Sequence, residues 1–499
     1  MADMTATGTG TDAPVAPIGT QVSALAAKAP DAPAVTCAGV TVNRADLDTT
    51  TNRVARGFTS LGVGVGDYVT IVLPNSLDWV FAVLACWKLG AVPQPLSARL
   101  PDAELAALLE LRRPALLVGR HDPTGVTPCT AMDLAAEFAG FPADALPEAV
   151  SPVWKSMASG GSTGRPKLIE AGNNSRVPPA IGYPLGAQDG DVNLISVPLS
   201  HNTGFTTFAI GVLQGHHLVV MPRFEPREFL RLVTEHRVTF LATVPTIMQR
   251  LLPVYRAQPD AYDLSSIRRF WHLAAPCPPA VKQAWIEILG PASVWELYGG
   301  TELQALTFIS GEQWLTHPGS VGVVVAGEMK VLDDDGNECP PGVVGEIYMR
   351  PGPSARPTYR YIGSTAKTRD GWDSLGDLGY FDDEGFLYLN DRRVDMFTVG
   401  GRNVYPAEIE SALAEHPAVL SSLVVGLPDG DLGQVPHAIV QADGLDEAGV
   451  VAFLAERIAG YKLPRSVEFV DRPLRDDAGK ARRSAVRDEV IARRAAQSG

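Results

Sequence analysis

Between Thr20 and about residue 300 the chain alternates short apolar runs with segments of helical spacing, and this alternation narrows its folding options more than any other feature. The runs "DYVTIVLP" (67–74), "PALLVG" (114–119), "VNLISVPL" (192–199), "HHLVVMP" (216–222) and "VTFLATVP" (238–245) read as buried strands. "ADLDTTTNRVARGFTSLG" (45–62) carries apolar residues at helical spacing and stops at a glycine, and residues 77–90 read as a second helix. Strands separated by helices predict an α/β architecture with a parallel sheet.

The texture changes after about residue 318. "SVGVVVAGEMKVLDDDGNECPPGVVGEIYMR" (320–350) consists of short alternating strands around the turn "DDDGN" and predicts a β-rich subdomain. Beyond 395 a compact α+β pattern follows, with helices in "AEIESALAEH" and "VVAFLAERIA" and strands in "VLSSLVVGLPD" and "HAIVQAD". At 499 residues the chain is too long for one ordinary core. The expected division is a disordered lead-in over 1–19, an N-terminal domain over 20–393 made of two αβ-layered subdomains plus the β-rich subdomain at about 319–393, and a C-terminal domain over 394–499.

Composition excludes some functions. A formal charge of −14 repels nucleic acid and anionic membranes, though not small anions held in a local pocket. The five cysteines, Cys37, Cys86, Cys129, Cys277 and Cys339, are scattered without a CxxC pair, so reduced thiols in a cytoplasmic protein are expected rather than a zinc site or disulfide framework. The N-terminus lacks a basic start and an apolar core, so it does not read as a secretory signal. "WVFAVLACWKLGAV" (79–92) is short and interrupted by Lys88, which predicts a core helix, not a membrane span.

"SGGSTGRPK" (159–167) reads either as a linker or as a Gly-rich loop over phosphates. It is not a Walker loop, because Pro166 precedes Lys167 and Leu168 follows, and "AGK" at 478–480 fails because Leu474 occupies the first glycine's place. Gly160, Gly161 and Gly164 permit close backbone approach, while Ser162, Thr163 and Lys167 supply donors and charge. Alone, this is a weak signal. Behind it, in order, come "YGGTE" (298–302), "SLGDLGYFDDEGFLYLNDRRVDM" (374–396), "GGRNVYPAEIE" (400–410) and "LRDDAGKARR" (474–483). With these motifs the chain, from roughly residue 20 onward, resembles the adenylate-forming (ANL) superfamily of acyl-CoA synthetases, adenylation domains and firefly-type luciferases.

The resemblance implies a ligase that joins a carboxylic acid to AMP with loss of pyrophosphate, then passes the acyl group to the thiol of coenzyme A, using ATP and Mg²⁺. It makes 159–167 the phosphate-gripping loop, with Ser159 its leading hydroxyl and Lys167 its lysine. Tyr298 would stack on adenine beside Gly299, Ala274 and Ala275; Thr301 would bond the α-phosphate, and Glu302 would hold Mg²⁺. Asp377 and Arg392 correspond to the residues that bind the ribose hydroxyls. Lys480 corresponds to the lysine that bridges the carboxylate and the α-phosphate, so Lys480, Thr301 and Glu302 form the implied catalytic set. The C-terminal domain is then mobile about a hinge at Val394, and Gly400 and Gly401 line the CoA channel.

"PLSHNTG" (198–204) resembles the segment lining the acyl pocket. His201 and Asn202 stand where amino-acid-activating relatives place an aspartate, so an ordinary carboxylic acid is expected, since a buried ammonium would lack its partner. His201 also reads as a core histidine. "HLAAPCPP" (272–279) resembles the segment between the acyl and adenine pockets, with Leu273 facing the acid, and a bulky hydrophobic or ring-bearing acid is admitted. Free CoA is the expected acceptor. Alternatives are a stand-alone ligase loading an acyl carrier protein and a non-catalytic nucleotide-binding homologue.

Overall fold

The computed structural model describes residues 15–125, 127–130, 133–160, 166–352, 356–392, 395–475, 479, 481 and 483–498. Six parallel strands form the centre of its largest sheet, in spatial order Pro33–Cys37, His217–Val220, Val192–Ile195, Phe240–Thr243, Arg269–Leu273 and Val294–Tyr298. A second parallel sheet is built from Val92–Pro95, Tyr68–Ile71, Leu116–Val118 and Cys129–Thr130. These are the predicted α/β layers.

Local chemistry explains the connecting helices. Arg44–Ser60 begins where the Asn43 side chain accepts from the Asp46 N–H at 2.7 Å. Leu77–Leu89 begins at a Ser76 cap and ends at Gly90 in the left-handed conformation. Every residue from Trp79 to Leu89 is buried, Lys88 included. The Lys88 ammonium reaches Asp48 at 2.6 Å and Asn52 at 2.7 Å, and burial lowers its pKa to about 8. Trp79 and Trp87 pack against Phe205 and Phe208 of the helix Asn202–Gln214, which joins the two layers. Among the described residues no helix is long and apolar enough to cross a membrane.

The β-rich segment continues the main sheet. Ser320–Ala326 pairs with Leu306–Ser310 along one stretch and with Leu387–Arg392 along another. The transfer occurs at Gly322, where φ is +100° and an added Cβ would lie 1.9 Å from the Phe308 carbonyl oxygen. Only glycine fits that bend.

A three-stranded antiparallel sheet, Ser156–Gly160, Pro166–Ala171 and Tyr359–Ile362, stands beside these layers. Ser159 pairs with Lys167 and Gly160 with Pro166. The strands on either side of residues 161–165 are therefore paired with each other, which excludes the linker reading. The C-terminal region has its own sheet, comprising Arg402–Val404, Phe397–Val399, Gly433–Ala442, Val419–Asp429 and Ser466–Phe469, and its own apolar cluster around Val404, Ile409, Leu413 and Val440.

Candidate active site

Parallel strands end in a common direction, so the loops that follow them converge on one crevice. Here Ser196–Pro198, Val244–Thr246, Ala274–Cys277 and Gly299–Glu302 leave four adjacent strands and line one continuous cavity of about 2460 Å³. Two of these loops hold non-glycine residues in the left-handed region, Ala274 at φ 73° and Leu303 at φ 51°. Strain of this kind persists only where surrounding structure enforces it.

On the nucleotide side, Tyr298, Gly299, Thr301, Ala274, Ala275 and Asp377 all line the cavity. The Tyr298 hydroxyl donates to Asp377 Oδ2 at 2.9 Å, which ties the strand end to the Trp372–Phe381 strand. Asp377 stands opposite Arg392 in the strand pairing. Behind Ala274–Cys277, Lys282 meets Glu296 at 2.7 Å, with His272 Nε2 3.8 Å from the same carboxylate. Burial raises the Glu296 carboxyl and pushes the His272 imidazolium down.

The phosphate side rests on the period of two in the small sheet. Pairing places Lys155 and Met157 on one face with Ala171, Ile169 and Lys167, and with Tyr359 and Tyr361. That face looks onto Glu302. Tyr361 donates its hydroxyl to Glu302 Oε1 at 2.5 Å, Lys167 Nζ lies 3.7 Å above the Tyr361 ring and 4.0 Å from Glu302 Oε1, and Thr358 Oγ1 donates to the Glu302 carbonyl at 2.6 Å. Burial and the Glu302 charge push the Tyr361 phenol up, so it stays protonated as a donor. The opposite face is pinned by Glu170, which takes Arg112 at 2.6 Å and also pairs with Arg360.

Glu302 is 6% exposed, and its Oε2 faces Gly300, where an added Cβ would lie 2.5 Å away. Among the described residues no group of three or more metal-ligating side chains occurs. One carboxylate beside a phosphate site suits Mg²⁺, which takes one or two protein carboxylates and completes its shell with phosphate and water. The donor set fits that ion.

The acyl side is a slab. Strand alternation turns Phe240, Ala242, Trp271, Leu273, Leu297, Leu306 and Phe308 to one face of the main sheet. Ile210, Thr206 and Thr207 of the helix Asn202–Gln214 and Ile181 and Leu185 of the turn Pro179–Leu185 form the facing wall. His201, the residue before that helix, and Asn202, its first, stand at the slab's entrance.

From the C-terminal region Ala407, Glu410, Arg475 and Gly479 reach the same cavity, and a Cβ added at Gly479 would lie 3.4 Å from Val244 Cβ and 3.5 Å from Thr246 Oγ1. The Gly400–Gly401 turn, at φ 54° and 77°, does not line it. Of the sequence-predicted residues, Lys167, His201, Asn202, Leu273, Ala274, Ala275, Tyr298, Gly299, Thr301, Glu302 and Asp377 come together. Ser159, Gly160 and Arg392 are placed by their backbones alone. Gly161, Ser162, Thr163, Gly164, Val394 and Lys480 lie outside the described residues. Tyr361, Lys155 and the aromatic wall were missed by sequence reasoning. The one available signal was Lys155, a lysine immediately before a strand that feeds the loop.

Two family models cover most of the chain: the AMP-binding enzyme model matches residues 22–360 and the AMP-binding enzyme C-terminal domain model residues 408–480. The chain belongs to the AMP-binding enzyme family. It is 33% identical over 439 residues to a 2-succinylbenzoate–CoA ligase of Bacillus licheniformis, covering 85% of this chain and 90% of that protein. It is 32% identical to a feruloyl-CoA synthase of Amycolatopsis, covering 92% and 96%. The solved o-succinylbenzoate CoA synthetase of Bacillus subtilis in complex with its acyl-adenylate intermediate superimposes with a TM-score of 0.81 at 28% identity, covering 96% of this chain and 99% of that one. The same Bacillus subtilis enzyme with ATP and a magnesium ion gives 0.79. The chain is an AMP-forming acid–thiol ligase of this family.

Proposed function

We propose that this ligase activates a bulky, ring-bearing carboxylic acid and transfers it to CoA by alternating its C-terminal domain between two positions. The observation that carries the substrate class is the slab: Phe240, Trp271 and Phe308 form an apolar aromatic wall without a charged side chain, Trp271 and Phe308 edge-to-face at 5.0 Å, and these residues line the same cavity as the nucleotide loops. Aromatic walls favour rings that pack at offset or edge-on geometries.

In the first step a carboxylate oxygen attacks the α-phosphorus, the bond to the bridging oxygen breaks, and pyrophosphate leaves with the electron pair. The chain's task is to align two anions and neutralise their repulsion. Tyr298 and Ala274–Ala275 hold adenine, Asp377 with Arg392 takes the ribose, Lys167 with the Gly-rich run that precedes it grips the β- and γ-phosphates, and Thr301 meets the α-phosphate. Mg²⁺ bound by Glu302 supplies further neutralisation of the phosphates. Lys480 donates to the carboxylate and α-phosphate oxygens. In the second step the CoA thiol loses its proton, sulfur attacks the acyl carbon, and AMP leaves as the C–O bond breaks. The Gly400–Gly401 turn then replaces the Lys480 segment, with Val394 as the hinge.

The test is pyrophosphate release with ATP and Mg²⁺ over acetate, decanoate, ferulate and a polycyclic acid, with and without CoA. Ferulate or the polycyclic acid exceeding acetate in kcat/KM, with a CoA thioester detected by mass, is the expected result. Preference for acetate overturns the ring-bearing class. Acyl-AMP unaffected by CoA makes a carrier protein the acceptor, and no release with any acid removes the ligase reading.

A further inference from the structure

Lys155 has no role in the steps above, yet its environment is costly. Its side chain is buried, with 1% of the residue exposed, and its Nζ donates to Asn202 Oδ1 at 2.5 Å and lies 4.7 Å over the Trp154 ring. Among the described residues it makes no ion pair within 4.0 Å, and burial pushes its pKa down to about 7, against the pull of the Glu302 charge. An ammonium in such a place is retained for what it does to its neighbour.

That neighbour faces the substrate. Asn202 Oδ1 also lies 3.4 Å from the Thr206 hydroxyl, so two donors converge on the amide oxygen and fix which way the amide is turned. The Nδ2 group, for which no acceptor occurs among the described residues, is thereby left to the cavity that Asn202 lines. The first turn of the helix Asn202–Gln214 adds the partial positive charge of its N-terminus. Lys155 and Lys167 share one face of the small sheet, in pairs four positions apart, or about 13 Å along the strands. Lys167 lies at the phosphate-loop end and Lys155 at the acyl end, with Glu302 opposite the same face.

We propose that Lys155 is a positioning residue for the acid substrate: by holding Asn202 Oδ1 it aims the Asn202 Nδ2–H₂ at the substrate carboxylate oxygen that does not attack the phosphorus. This rests on the ligase reading and adds a specificity device to it. The buried cation favours an incoming carboxylate and disfavours an acid bearing an α-ammonium group, so the site discriminates against amino acids.

The experiment measures KM and kcat for the panel acid on which the wild type has the highest kcat/KM, in Lys155→Met, Lys155→Arg, Asn202→Ala, Asn202→Asp and the double variant Lys155→Met/Asn202→Ala. Lys155→Met is expected to raise the KM for the acid roughly tenfold, the worth of a charge-assisted hydrogen bond, with the KM for ATP unchanged. Lys155→Arg is expected to recover part of the loss. The double variant should be no worse than Asn202→Ala alone, because Lys155 acts through Asn202. Asn202→Asp keeps a partner for Lys155, so thermal stability holds while the KM for the acid rises. Additive losses in the double variant, an equal rise in the KM for ATP, or an unchanged KM for the acid in Asn202→Asp would each overturn the proposal. Failure of the ligase reading is separately visible as no pyrophosphate release by the wild type.

Discussion

Arg475 and Arg483, which flank the segment carrying Lys480, both reach the single carboxylate of Glu410. Arg475 Nη2 stands 2.6 Å from Oε2, Arg483 Nη1 bonds Oε1, and the Val424 N–H donates to Oε1 at 2.7 Å. Arg483 Nε also lies 3.5 Å from Asp395, the residue after the predicted hinge position. One buried acid on the helix Pro406–Leu413 thus anchors both ends of the loop that delivers the proposed catalytic lysine.

Burial alone would raise the Glu410 carboxyl, but the charges of Arg483 and Arg475 outweigh it and hold it below the usual carboxylate range. A carboxyl depressed in the folded state contributes stability above its unfolded pKa of about 4.3, and that contribution is lost as pH falls through the folded value. Glu410→Gln is expected to destabilise the protein by ~3 kcal/mol, toward the lower end for a broken buried pair because the arginines are partly solvated. Thermal denaturation from pH 7 to pH 3 checks this: the wild-type advantage should shrink toward acid. Adenylation kcat should fall more than the KM for ATP rises, because the loop loses its anchors.

Gly300 is held to glycine by the site it borders. An added Cβ would lie 2.5 Å from Glu302 Oε2 and 2.5 Å from Leu375 Cδ1. Gly300→Ala is therefore expected to displace the Glu302 carboxylate and raise the Mg²⁺ concentration needed for half-maximal pyrophosphate release. The cost in kcat should be roughly 10²–10³-fold, the scale for disturbing a preorganised electrostatic group. Unchanged Mg²⁺ dependence would remove Glu302 from the metal site.

Much of this arrangement was legible in the chain itself, for reasons specific to each element. The run 192–195 and its parallel neighbours are dominated by apolar residues, and the helix over 45–62 has a cap before it and a glycine stop, so local sequence suffices. The hairpin Pro33–Cys37/Val40–Asn43 escaped notice because its turn uses Ala38 at φ 50° before Gly39, without the Asn-Gly or Asp-Gly signature. Tyr361 and Lys155 escaped for another reason. Each acquires its partner only when Tyr359–Ile362 pairs with a strand about 190 residues earlier, or when Asn202 folds against Lys155 from 47 residues away. No local pattern encodes such distances.

The Lys282–Glu296 pair behind the Ala274–Cys277 loop makes a separate prediction. Lys282→Met leaves Glu296, itself 6% exposed, as an unpaired buried charge, expected to cost ~3–5 kcal/mol at neutral pH. Glu296 is already raised by burial, and losing Lys282 raises it further. A raised carboxyl favours the folded state below the unfolded pKa, and the penalty appears as pH climbs through the folded value. The variant's deficit should therefore be smallest in acid and largest above neutrality, the reverse of Glu410→Gln, and thermal melts at matched pH values distinguish the two. The KM for ATP should rise as Ala274–Cys277 loosens.

The slab offers the most direct control over substrate size. Ala242 lies between Phe240 and the strand end, lines the cavity and packs in one apolar cluster with Trp271 and Ile210. Ala242→Phe replaces this small side chain with a ring that projects into the slab, away from the nucleotide loops. The variant is expected to lose roughly a hundredfold in kcat/KM for a ring-bearing acid, the scale at which apolar pockets discriminate by size. Acetate, which needs only the entrance at His201 and Asn202, should react as well as before, and the KM for ATP should not change. Equal losses for acetate and the ring-bearing acid would mean that the rings lie elsewhere, and the wall formed by Phe240, Trp271 and Phe308 would then be core packing and not a substrate surface.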